Sequence, residues 1–179
     1  MLVLSTGFAN AGDFTVSIVG QSQSNQGQYK EEGLPIVFCP EINSKRPDGA
    51  YGKSSGNCFF VIIQNTHEET NKVSMSASAW YDCLKFKITD SSGKDYTVTR
   101  TLIDWSANPT ETWTFQGEGM RVLAVDFTGD AMFNPMGGWQ GLPPPPLSPE
   151  IVSMAATFRY YHSEVTSTPA KVYLCGLPK

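Results

Sequence analysis

The sequence is short of charge, of histidine and of helical periodicity, and each shortage narrows what the protein can do. Charged residues make up 17% of the 179-residue chain, which carries a formal net charge of −4. Its thirteen Lys and Arg form no basic run. A nucleic-acid binder needs a basic face to neutralise phosphates, so nucleic acid is not expected as a partner. No stretch approaches the ~20 apolar residues of a membrane span. No segment sustains the 3.6-residue apolar repeat of an amphipathic helix.

Two histidines, His67 and His162, are too few and too isolated to suggest catalysis or metal binding. A hydrolytic triad needs a nucleophile, a histidine and an acidic orienter brought together. Neither histidine lies in a Gly-x-Ser-x-Gly elbow or a His-Glu-x-x-His helix. His67 sits beside Glu68 and Glu69 in a polar turn, where a solvated side chain is expected. Asp82, Asp104 and Asp126 could act as a carboxylate pair only by tertiary accident, and Asp82 and Asp104 are read as capping the backbone at corners. The sequence therefore predicts no catalytic residues, no metal site and no cofactor.

Four cysteines, Cys39, Cys58, Cys83 and Cys175, lack the close pairing of zinc ligands. Their meaning depends on compartment. The N-terminus MLVLSTGFANAGDF is apolar over Met1 to Phe8, and Ala9-Asn10-Ala11 offers small residues where signal peptidase reads. This predicts the end of a signal peptide over residues 1–11, a mature domain over 12–179 and a secreted or periplasmic protein. An ordinary apolar first strand is the alternative. In an oxidising compartment four cysteines suggest disulfides. Cys39 and Cys58 flank a polar, Gly-rich segment and are the expected bridge, with Cys83 and Cys175 either paired or packed as thiols.

What is abundant is period-two alternation, which marks strands with one buried face. Phe14, Val16 and Ile18 alternate with polar residues, as do Val73, Met75 and Ala77, and Leu84, Phe86 and Ile88. Tyr96 with Val98, and Trp113 with Phe115, continue the pattern. CFFVIIQN (58–65) and MRVLAVDF (120–127) are nearly continuous apolar runs and predict strands covered on both sides. Asp90-Ser91-Ser92-Gly93-Lys94-Asp95 and Gln116-Gly117-Glu118-Gly119 are turns, with Gly where a positive φ is needed. The pattern predicts one all-β domain, an antiparallel β-sandwich of about eight to ten strands. Pro143 to Pro146 is read as a stiff polyproline loop inside it.

Residues 58–127 also carry an ordered set of signals. An apolar strand ending in Asn-Thr is followed by an alternating strand, then Trp80-Tyr81-Asp82. The run Leu84 to Val98 with its Asp-Ser-Ser-Gly-Lys turn comes next, then a Trp105-Ser-Ala-Asn-Pro corner and a Gly-Glu-Gly turn before an apolar strand. This resembles uncharacterised immunoglobulin-like β-sandwich domains of secreted bacterial proteins. A more distant likeness is to the bacterial intracellular proteinase inhibitor family, without a recognisable reactive segment. The resemblance implies an immunoglobulin-like architecture and a non-catalytic role.

The remaining functional lead is aromatic. Trp113 and Trp105 are expected in the core. Trp139 lies in DAMFNPMGGWQGLPPPP, a loop longer than usual connections, and loops of that length are generally functional or disordered. Trp139, Met132 and Phe133 are the candidate binding residues, with Trp139 expected partly exposed and a lid over the core as the alternative. The expected function is an exported interaction module that binds a protein or surface glycan through end loops. A proteinase inhibitor presenting a loop to a protease cleft is the second reading.

Overall fold

The computed structural model describes residues 9–20, 36–38, 58–76, 83–100, 110–127, 139–144, 148, 150–160 and 163–174. Among them the chain forms only strands: β1 (Ala9–Ala11), β2 (Phe14–Gly20), β3 (Ile36–Phe38), β4 (Cys58–Asn65), β5 (Asn71–Ser76), β6 (Leu84–Thr89), β7 (Asp95–Arg100), β8 (Thr110–Phe115), β9 (Met120–Asp126), β10 (Trp139–Gln140), β11 (Glu150–Tyr160), β12 (Ser163–Thr166) and β13 (Ala170–Leu174). Thirteen strands exceed the expected eight to ten, because β1, β3, β10 and β12 are pieces of two to four residues that sequence periodicity cannot register. The expectations for Cys39, Cys175, Trp80, Tyr81, Asp82, Asp104, Trp105, Met132, Phe133 and His162 lie outside the described residues.

The strands form two main layers and a ribbon. One sheet runs β1-β2-β4-β9; the other runs β10-β7-β6-β11-β13-β3 with β12 beside β11; β5 and β8 pair separately. All ladders are antiparallel except β13 with β3, which is parallel. The alternating residues read from the sequence meet between the layers: Phe14, Val16, Ile18, Leu84, Phe86, Ile88, Val98, Trp113 and Phe115 are all buried. Phe14 shows how the layers join. Its ring makes edge contacts with Phe115 of the ribbon and with Phe158 and Tyr160 of the larger sheet, at 4.9, 5.6 and 4.9 Å. Such geometry suits the ring quadrupoles and adds to the burial gain.

Two expectations are corrected. The runs 58–65 and 120–127 are neighbours in one sheet, and only one face of each meets the core. On β4 the inward Phe59, Val61 and Ile63 are buried while Phe60 and Ile62 are half-buried; on β9 Leu123 and Val125 are buried while Met120 and Val122 are exposed. The second correction concerns the turn at 116–119. The positive φ falls on Glu118, at 54°, not on either glycine. Gly117 is needed for space, since a Cβ there would run into the Glu68 carbonyl oxygen. At 90–95 the expectation holds: Gly93 has φ 86°, and Asp90 Oδ1 accepts from the Ser92 and Lys94 N–H groups, both at 2.9 Å.

Ala9–Ala11, inside the segment expected to be removed on export, pairs antiparallel with Phe14 to Val16 as β1.

Candidate functional site

Trp139 is buried, not partly exposed as expected from the sequence. It is 7% exposed and begins β10, with Trp139 opposite Arg100 and Gln140 opposite Thr99 of β7. Its ring meets Phe86 and Phe127 edge-on, at centroid distances of 5.3 and 5.4 Å. The physical reason is the pairing with β7, which turns the large ring into the gap between the layers. Leu142 and Pro143 follow it and line an apolar cleft with Phe59, Ile88, Phe127 and Met154. The segment acts as a lid on the core. Cys58 opens β4, opposite Asp126, while its expected partner Cys39 is not described.

His67 lies where the sequence puts it, in an exposed turn. Its Nε2 is 3.0 Å from Asp13 Oδ1, with both side chains about half exposed. Among the described residues no group of three His, Cys, Asp or Glu is arranged to hold a metal.

The chemistry that distinguishes one part of the surface from another lies on the outward faces of the two sheets. On the larger sheet, Lys85, Lys87 and Asp95 alternate outward from β6 and β7, and Arg159, Glu164 and Lys171 from β11, β12 and β13. Lys85, Lys87, Asp95, Arg159 and Glu164 are paired. Lys85 and Arg159 both reach Glu164, at 2.9 and 2.7 Å, and Lys87 reaches Asp95 at 2.8 Å. Arg159 first, then Lys85, hold the Glu164 carboxyl below the usual carboxylate range. Lys87 and then Thr89 do the same for Asp95. The Ser92 hydroxyl and the Lys94 N–H lower Asp90.

These three groups define an acid limit. A carboxyl whose folded pKa is depressed contributes stability above its unfolded value and loses it as pH falls through the folded one. The melting temperature should therefore stay level down to about pH 4.5 and fall below it. Asp90→Asn should blunt the fall in thermal melts between pH 6 and 2. A melting temperature unchanged to pH 2.5 would show that these contacts carry no stability.

The outward face of the smaller sheet is different. The register sets Val19 beside Phe60 and Phe60 beside Ala124, then Ile62 beside Val122, then Gln64 beside Met120. The polar positions that complete the patch, Thr15, Ser17 and Gln64, are uncharged. Exposure rises toward the edge: Phe60 and Ile62 are half-buried, whereas Met120 is 61% and Val122 52% exposed. These two are among three exposed large hydrophobic residues of the described chain, the third being Ile151. Contiguous exposed apolar surface on a soluble domain marks an interaction site far more often than isolated residues do. The alternation M-R-V-L-A-V put Met120 and Val122 on one face. A run with almost no polar residue hides which face is dry, so sequence alone read both as covered.

No family model matches the chain, and no curated protein or solved structure matches it either.

Proposed function

We propose that the protein is an exported, non-catalytic β-sandwich module that binds another protein through the outward face of the β2-β4-β9 sheet. The observation that carries this reading is the contrast between its two outer faces. One carries paired charges and hydroxyls, as a solvated surface does, with Ile151 as its exposed large hydrophobic residue among those described. The other is uncharged from Thr15 to Met120 across three strands and leaves Met120 and Val122 open at its edge. Interface cores are depleted of charge in the same way. A sugar ligand would call for hydroxyl-matching polar side chains around a stacking ring, and this face offers Phe60 with aliphatic neighbours, so a protein partner is favoured over a glycan. The immunoglobulin-like resemblance supports the non-catalytic role, and export rests on the N-terminal apolar segment. Removal of residues 1–11 would take β1 from the edge of this sheet and leave β2, β4 and β9 as the docking face.

The test is a photoreactive residue placed at position 120 or, as control, at position 87 on the opposite face, in protein expressed in its native host. Adducts to protein from position 120 and none from 87 are expected, with the mass of the recovered chain starting at Gly12. Adducts equal at both positions, or none at 120 together with glycan-array binding, would overturn the reading.

A further inference from the structure

The exposure on this face is one strand wide. Phe60 and Ile62 have a strand on each side, β2 and β9, and are half-buried; Met120 and Val122 have β4 on one side and no described strand on the other. The ends of the two larger sheets are otherwise short, three residues in β1 and β3 and two in β10, whereas β9 runs for seven. Long edge strands are normally guarded by Lys, Pro or a bulge, because their free N–H and C=O groups template another strand. β9 contains neither Lys nor Pro, and its two charged residues are Arg121 and, at its end, Asp126. A neighbouring strand would bring Met120 and Val122 to the burial that Phe60 and Ile62 already have.

We propose that this strand is β9 of a second copy of the chain, paired antiparallel about a two-fold axis so that β2, β4 and β9 of both copies join in one continuous sheet. The inference rests on the docking face assigned above. Charge selects the occupant. In a two-fold interface each residue near the axis meets its own copy's surroundings, so any charge there meets a like charge. The outward positions 120, 122 and 124 carry none, in a chain with thirty charged residues. The inward Arg121 is drawn away, its guanidinium 4.1 Å over the Trp113 ring.

Register follows from the same pattern. A shift of one residue would set outward side chains against inward ones. With the axis at Val122, Met120 faces Ala124 of the second copy, large against small, and Val122 faces Val122; Asp126 falls beyond the paired stretch. Moving the axis to Leu123 would set Met120 against Asp126.

Sedimentation velocity on the full chain tests this, because the dimer should show twice the 19.6 kDa chain mass. Val122→Lys puts two ammonium groups at the axis and should raise the dissociation constant at least tenfold while circular dichroism stays unchanged, since residue 122 is exposed. Under mild oxidation Val122→Cys should give a cross-linked dimer beyond the wild-type background, and Met120→Cys should not. A monomeric wild type at a hundred micromolar overturns the second copy. If that monomer binds an apolar-surface dye and Val122→Lys loses the dye, the docking face survives with another partner. A dimer untouched by Val122→Lys overturns the face as well.

Discussion

Trp139→Ala should unfold the domain about ten degrees earlier than the wild type in a thermal melt. The side chain is 7% exposed and packs edge-on against both Phe86 and Phe127, which also touch each other. Truncating a buried aromatic removes its transfer free energy and leaves a cavity that neighbours only partly fill, at ~3–5 kcal/mol. For a chain of this size each kcal/mol moves the melting temperature by about 2–4 °C. The site cannot collapse easily, because Gly141, at φ 83°, already packs against the Thr97 backbone and holds the segment at fixed height over β7. Trp139→Phe keeps an edge-on ring and should cost less than half as much. A shift under two degrees in Trp139→Ala would show that the ring is not part of the core.

That result would also measure what the sequence could and could not convey about this segment. Periodicity reports a strand only over several residues, and β10 has two. A tryptophan between Gly-Gly and a proline run carries no alternation, so the loop length pointed outward when the pairing with β7 points inward. Elsewhere the alternating residues were legible because each run is long enough to count: Leu84, Phe86 and Ile88 are buried as read, and Trp113 and Phe115 with them. The apolar outer face was not legible. Period two divides a strand into two faces without saying what lies opposite each, and in MRVLAVD the charged Arg121 falls on the inward face, so it does not mark the wet one. Only the position of β9 at the end of the sheet order decides it. The stretch 80–100 is wall where it is described: β6 and β7 are interior strands of the larger sheet, joined by a turn that Asp90 closes.

The corner between β4 and β5 shows the same limit most clearly, and it carries the second large effect. Asn65-Thr-His-Glu-Glu-Thr-Asn reads as a solvated connection, yet Asn65 is fully buried. Its side-chain amide donates to the carbonyls of Glu69 and Gln116, at 2.7 and 3.1 Å. Its oxygen accepts from the His67 N–H and the Asn71 amide, at 3.2 and 2.8 Å. One of these partners, Gln116, is fifty-one residues away, across the turn before β9, so nothing local announces the hub. Asn65→Ala leaves four polar groups without it, and each buried unsatisfied group costs ~1–3 kcal/mol. With water readmitted to part of the corner, a loss of roughly 3–5 kcal/mol is expected.

Asn65→Asp separates hydrogen bonding from size. The new carboxylate keeps the shape and both acceptor contacts, but its second oxygen faces two carbonyls. Burial and those carbonyls raise its folded pKa above the unfolded ~3.9. A raised carboxyl is harmless below the unfolded value, where it is protonated in both states and can donate to one carbonyl. It becomes destabilising as pH rises toward the folded value. The gap in melting temperature between this variant and the wild type should therefore be wide at pH 7 and narrow toward pH 4. Taking the difference removes the acid loss that both share through Asp90, Asp95 and Glu164. A gap that is absent at pH 7, or constant across that range, would mean that Asn65 does not hold the corner through the two carbonyls.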